Sequence, residues 1–239
     1  MSIMKPRIMS PIISPIIGGS APVPIAGFVP SYSSDLSIHI DPTLASTITA
    51  VGTAGTIIED RANGLLFSGS FSTGTRTIGT ELKNVLDFNG SQFIFNSSIT
   101  PALTQPQTIF IVFEKDTTTT QVLFQGAGDL SSTAVAFYGS TNAFIRANTL
   151  VTIPAFISGV NTHAFVMNGS SSKYWENGNM SGTINPGTIG IGGRLDIGRR
   201  SNDTLILDGC VGQLLVYNRV LTDIEVETVL TEIDTYFGL

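Results

Sequence analysis

The sequence predicts an all-β protein: a two-sheet antiparallel jelly-roll sandwich with a short C-terminal helix. Three observations carry this. Short apolar or alternating runs recur about every 8–12 residues, with Gly, Asn, Ser and Thr between them, and nothing alternates as strand–helix–strand. Charged residues make up only 13% of the 239, while there are 25 glycines, a profile of many strands joined by tight polar turns. Helical periodicity together with a cap occurs only in the last stretch of the chain.

Residues 1–34 differ from everything after them. Six of the 11 prolines lie here, at positions 6, 11, 15, 22, 24 and 30, among isoleucines and methionines. Prolines at that density forbid a helix and favour an extended path without internal hydrogen bonds. Lys5 and Arg7 ahead of an apolar stretch raise the alternative of a secretory signal, but Pro11 and Pro15 interrupt what would be its helical segment. A disordered tail is ordinarily more polar. The remaining reading is an extended arm laid on a neighbouring subunit, with Pro6, Ile12, Ile13, Pro15, Ile16, Ile17 and Pro24 as contacts. Residues 35–239 then form the sandwich.

Leu36, Ile38 and Ile40 alternate as in a strand, which puts His39 on the same side as Asp35 and Asp41. Residues 61–84, rich in Gly, Ser and Thr, read as loop with one or two short strands. Val85–Phe88 and Gln92–Phe95 read as a hairpin across Asn89-Gly90, a dipeptide that tolerates positive φ. Thr108–Glu114 is continuously apolar and predicts a central strand buried on both faces. Thr117 to Thr120 make the turn after it. Further strands are expected at 122–125, 134–138, 143–146, 149–153 and 163–168. Tyr174–Glu176 pairs back through Asn177-Gly178, and Ile189–Ile191 precedes a glycine cluster. Val211–Tyr217, rich in Val, Leu and Tyr, predicts a buried strand. Thr222 with Glu225 three residues on is a capping-box pattern, so a helix begins at Asp223. Val226, Val229, Leu230, Ile233 and Phe237 share one face of it, and Gly238 supplies the C-terminal cap.

The closing stretch (Gly209, Gly212, Val216, Tyr217, Asn218, Arg219, Leu221, Thr222, Asp223, Glu225) resembles the C-terminal signature of laminin-G-like, concanavalin A-like jelly-roll domains. Leu86–Phe95 resembles that family's early strand pair, and the KYWENGNMSG run from Lys173 to Gly182 its Tyr-x-Asn-Gly hairpin. His39-Ile40-Asp41 departs from the family's usual Trp-Leu-Asp. The resemblance implies sugar binding by exposed aromatics with amides nearby, for which Tyr174, Trp175 and Asn177 are the candidates, although strand alternation buries one of the two aromatics. It also allows calcium held by loop carboxylates, for which Asp129, Asp196, Asp203 and Asp208 are available. No dense Asp-x-Asp string marks a site, and no cofactor is expected.

Catalytic constellations are missing from the string. Jelly-roll glycosidases carry paired acids on one strand, typically as Glu-x-Asp-x-x-Glu, and that pattern does not occur. His39 and His163 are the two histidines, and neither lies near a nucleophile elbow. The glycine cluster from Gly187 to Arg200 has the look of a phosphate loop, but strand and turn residues follow it where a helix is needed. Arg194, Arg199 and Arg200 form the one basic knot, as solvated turn residues, a subunit-interface ion pair or an anion site. Cys210, the single cysteine, sits at a strand start as a small buried residue. Sequons occur at Asn89, Asn96, Asn168, Asn179 and Asn202.

A formal net charge of −6 argues against nucleic-acid binding by a basic surface, and no apolar run reaches the length of a membrane span. The family resemblance, which extends to bacteriophage virion proteins, taken with the apolar arm, the low charge and the missing catalytic constellation, implies a non-enzymatic virion structural protein, a bacteriophage head-decoration or tail-associated subunit. It would attach to other virion subunits, and to copies of itself as a homo-oligomer, through the arm. The alternative is a carbohydrate-binding module for surface glycans, secreted or at the cell surface.

Overall fold

The computed structural model describes residues 27–51, 55–128, 134–139, 142–154, 159–200, 202 and 204–239. In chain order the strands are β1 (Leu36–Ile40), β2 (Ile48–Val51), β3 (Gly55–Glu59), β4 (Leu66–Ser70), β5 (Ser72–Ile78), β6 (Glu81–Asn89), β7 (Phe93–Asn96), β8 (Gln107–Lys115) and β9 (Gln121–Gly126). They continue with β10 (Ala134–Tyr138), β11 (Asn142–Ala147), β12 (Leu150–Pro154), β13 (Val160–Met167), β14 (Ser172–Glu176), β15 (Asn179–Ile184), β16 (Leu195–Ile197) and β17 (Asp208–Tyr217), and the helix α1 (Asp223–Phe237) closes the chain. Sheet I runs β15-β14-β13-β8-β17-β6-β5, with β1 also paired to β17. Sheet II runs β12-β11-β10-β9-β16-β7-β4-β3-β2. The two sheets face each other as an antiparallel jelly-roll sandwich.

The apolar runs predicted as central strands lie at the centre of sheet I. In β8, Ile109, Ile111 and Phe113 enter the core between the sheets, while Phe110 and Val112 face the opposite way beneath α1. The same division in β17 sends Val211, Leu214 and Val216 inward and Cys210, Leu215 and Tyr217 outward. With apolar partners on both sides, neither strand keeps the polar alternation of a half-exposed one. Burial raises the Cys210 thiol to about 12, so it packs as a small apolar group.

Helix α1 begins where the sequence placed it. Both halves of the capping box between Thr222 and Glu225 are present, and Gly238 ends the helix in the left-handed region at φ 69°. Val226, Val229, Leu230, Ile233 and Phe237 are buried on the outer face of sheet I. Arg219 ties the helix start to the turn just before β1, reaching Asp35 at 2.9 Å and Glu225 at 3.0 Å. The described part of the proline-rich segment packs on this same layer: Phe28 is buried against Tyr236, ring centroids 5.3 Å apart, and Ser31 bonds Glu232. The packed layer therefore takes in residues well before position 35.

Three expectations change. Residues 61–84 hold β4, β5 and the start of β6 rather than mostly loop. Strand β5, STGTRTI, is an edge strand whose threonines are exposed, so it shows little of the apolar alternation a sequence reading depends on. The second concerns residues 85–95, which do not form a hairpin. Strand β6 pairs in sheet I and β7 in sheet II, so Asn89-Gly90 carries the chain across the sandwich. Gly90 does take positive φ, 77°, as the dipeptide requires. Ile189–Ile191 lies in no strand, and the short strand of that region is β16.

A polar knot sits inside the core. The Tyr138 hydroxyl, from sheet II, and the Tyr174 hydroxyl, at 2.9 Å, both close on Nδ1 of His163 in sheet I. Phe113 meets the imidazole edge-on with centroids 5.1 Å apart. His163 is wholly buried, and that desolvation lowers its pKa to about 3; the ring is neutral and structural.

Candidate functional site

The two outer faces of the sandwich differ. Sheet I is covered by α1 and by Phe28, whereas no described helix lies over sheet II. Strand pairing aligns one row of residues along the outer side of sheet II: Ile57, Ser68, Phe95, Asp196, Gln125, Val135, Arg146 and Leu150, of which Asp196, Gln125 and Val135 are fully buried. The row is outward-facing because its neighbours Ile58, Phe67, Ile94, Leu195, Ile197 and Ile145 point into the core.

At the middle of this face, Asp196 is fully buried between two arginines. Arg194 grips it with Nε at 2.5 Å and a second donor at 2.8 Å, and Arg199 Nε donates at 2.9 Å. Both guanidiniums lie over phenylalanines of β7: Arg199 is 3.3 Å from the Phe93 centroid, and Arg194 is 5.1 Å from that of Phe95. Ile94 points inward between Phe93 and Phe95, so the strand period puts both rings outside, half-exposed. The result is a ledge of two aromatic rings and two guanidiniums held rigid by one carboxylate. The parts of the ledge that reach the surface are the partly exposed rings and the edge of Arg194, with Arg199 buried behind them, and aromatic surface beside a polar group suits polar ligands with apolar faces. Gln125, also fully buried, continues it, its amide donating to the Gly128 carbonyl at 2.9 Å.

The aromatics expected to contact sugar lie elsewhere. Tyr174 and Trp175 are both fully buried. Alternation sends Tyr174 into the core between the sheets and Trp175 under α1, and because sheet I has partners on both faces, neither is left outside. Asn177 occupies the hairpin turn at φ 48°, its side chain accepting from the Thr162 N–H at 2.8 Å. Of the three only Asn177 is exposed, and it has neither ring beside it at the surface. Pro6, Ile12, Ile13, Pro15, Ile16, Ile17 and Pro24 lie outside the described residues, as do Asp129 and Asp203.

The polar groups noted around β1 separate in the fold. His39 accepts from the Gln213 amide at 2.6 Å, Asp35 meets Arg219, and Asp41 is buried against Arg61 and Thr43. Burial lowers His39 to about 3 and raises the Asp41 and Asp60 carboxyls. Asp196, a carboxylate considered for calcium, is instead engaged by arginines. Among the described residues, no group of three or more His, Cys, Asp or Glu is placed to hold a metal ion. The basic knot was visible in the sequence as Arg194 and Arg199, but its aromatic half was not. Phe93-Ile94-Phe95, with two rings at period 2, was the available signal.

No protein-family model matches the chain, and no curated protein is similar to it in sequence. Solved structures do resemble it. Domain 4 of AbnA, a GH43 extracellular arabinanase from Geobacillus stearothermophilus in complex with arabinotriose, matches with TM-score 0.56 and 16% identity over 82% of this chain and 98% of that domain. The binding domain of botulinum neurotoxin serotype D/C matches with TM-score 0.59 and 10% identity over 84% of this chain and 53% of that one. The NanB sialidase from Streptococcus pneumoniae matches with TM-score 0.50 and 18% identity over 61% of this chain and 27% of the enzyme. The chain thus spans about a quarter of the sialidase and about half of the toxin domain. At these identities the likeness is one of architecture, and it agrees with the two sheets and their topology: the chain folds as a jelly-roll β-sandwich.

Proposed function

We infer that this protein is a non-catalytic recognition domain that binds oligosaccharide on the outer face of sheet II. One observation carries the reading: the half-exposed Phe93 and Phe95, fixed by Arg194, Asp196 and Arg199, lie on the sheet face that no described helix covers. Supporting it, the arabinanase domain that this chain matches over almost its full length is one with arabinotriose bound. Another similar structure is a neurotoxin binding domain in complex with rat synaptotagmin II. A secreted or cell-surface location goes with this reading. The virion-assembly reading rests on an arm of residues 1–34, of which 1–26 lie outside the described residues, while Phe28 and Ser31 contact the chain's own α1 layer and β17. A glycan array probed with the full chain tests the proposal. At least one oligosaccharide class is retained, Phe95→Ala abolishes the retention, and Trp175→Phe leaves it intact. Absence of any retained glycan, or equal retention by Phe95→Ala, overturns it.

A further inference from the structure

The two sheets end in the strands β15, β5, β12 and β2, and an exposed sheet edge pairs with another chain unless something in it prevents that. Strand β15 is bulged against β14 and bends at Gly182, φ 133°. Strand β12 closes on Pro154, and β2 has only four residues. The outer side of β1 is already bonded at His39 by Asp60 and Arg61. Strand β5 has none of these protections. Its seven residues pair with β6 in unbroken register, and no described strand lies along its other side. Thr73, Thr75 and Thr77 are exposed, and threonine suits a pleated ladder. The two-residue loop Gly79-Thr80 makes Ile78 and Glu81 a hydrogen-bonded pair. By alternation Thr73, Thr75 and Thr77 then turn their backbone N–H and C=O groups away from β6.

We propose that two copies of this chain pair through β5, antiparallel about a two-fold axis at Thr75. In that register Thr75 faces its own copy, Thr73 faces Thr77, and Arg76 faces Gly74. The whole strand overlaps, about six backbone hydrogen bonds form, and no like charges meet. A register centred on Arg76 sets the two guanidiniums against each other. Charge favours the Thr75 axis for a second reason. Arg76 is surrounded by the carboxylates of Asp87, Glu114 and Asp116, more negative charge than one guanidinium balances. Gly74 has no side chain, and Asp87 lies over it, 3.3–3.5 Å from where a Cβ would stand. The guanidinium of the second copy, arriving opposite Gly74, therefore meets the Asp87 side chain with nothing in between. That approach also accounts for a glycine inside a strand, which otherwise only weakens it. The axis is normal to sheet I, so both copies turn the outer face of sheet II the same way. The pairing itself does not depend on what that face binds.

Sedimentation of the full chain over a concentration series tests this. The wild type passes reversibly from monomer to dimer in the micromolar range, as suits an interface built on one strand pair. Thr75→Pro removes an N–H that β6 does not use, and Thr75→Lys sets like charges together at the axis. Each weakens the dimer at least about tenfold while melting within about 3 °C of the wild type. A thiol cross-linker of about 8 Å joins Thr75→Cys to its own copy but not Thr73→Cys, whose copies stand about 14 Å apart in this register. Cys210 is buried with a raised thiol and does not compete. A wild type that stays monomeric up to about 1 mM overturns the proposal and leaves the edge to an extended segment of another protein. A dimer unchanged by both substitutions, or equal cross-linking at positions 73 and 75, overturns it too. So does growth beyond the dimer, because this contact closes with two copies.

Discussion

Tyr138 of sheet II and His163 of sheet I are joined side chain to side chain through one hydrogen bond inside the core. Burial keeps the imidazole at that contact neutral. Burial holds His163 at about 3, and His39 is likewise held at about 3. The unfolded chain, with histidines near 6.5, takes up protons that the folded one refuses, so stability is complete above about pH 6.5 and falls as the pH drops toward 3. Asp41 and Asp60 pull the other way, because burial raises their carboxyls and protonation there favours the folded state. Each histidine contributes a loss of about 1.4 kcal/mol between roughly pH 7.5 and 5.5. Urea unfolding of wild type and His39→Gln at both pH values measures it: the variant loses about that much less. An identical pH dependence in both shows that His39 titrates freely in the folded chain.

Trp175, the one tryptophan, reports on the docking of α1. It is fully buried in the cluster that includes Val226, Val229 and Phe237. Its fluorescence is therefore blue-shifted and closed to ionic quenchers, and Trp175→Ala destabilises the fold by about 3–5 kcal/mol. Red-shifted, quenchable emission from the native protein contradicts this packing.

Gly209 sits where β17 presses on β8. Its φ is 151°, and a Cβ there overlaps the Glu114 carbonyl oxygen and lies 2.9 Å from Lys115 Cα. Both contacts are backbone and have no rotamer to escape into. Gly209→Ala lowers the unfolding free energy by more than about 2 kcal/mol, checked by urea titration; a change under about 0.5 kcal/mol shows that the ladder yields.

Asp196→Asn leaves Arg194 and Arg199 without their shared counter-charge. Removing one partner of a buried pair costs about 3–5 kcal/mol, reduced here because the Arg194 side chain is 29% exposed. Thermal unfolding and sugar titration together show the result: Asp196→Asn loses both stability and ligand, whereas Phe95→Ala, at a half-exposed position, loses ligand at much smaller cost to stability.

What was legible in the sequence was local. Thr222, Glu225 and Gly238 act on backbone groups within one turn, and the unbroken apolar run of β8 announces partners on two faces. Sheet membership is not local. Asn89-Gly90 reads the same whether the chain turns back within a sheet or crosses between sheets, and the exposed threonines of β5 carry no apolar period. The ledge failed to appear for a related reason. Phe93, Phe95, Arg194, Asp196 and Arg199 were each visible, but only the pairing of β7 with β16 makes them neighbours. Tyr174 and Trp175 misled because alternation was expected to leave one of them outside, and their strand is covered on both sides.

Strand β17 is the last strand of the sandwich, yet it holds the middle of sheet I, pairing with β8 along one edge and with β6 and then β1 along the other. Until residues 208–217 leave the ribosome, β8 and β6 have no strand between them and β1 has none to pair with. Folding of this domain must therefore follow its synthesis rather than accompany it. A premature stop anywhere before Asp208 yields a chain with the β8 edge open, a substrate for quality control rather than a shortened version of the same fold.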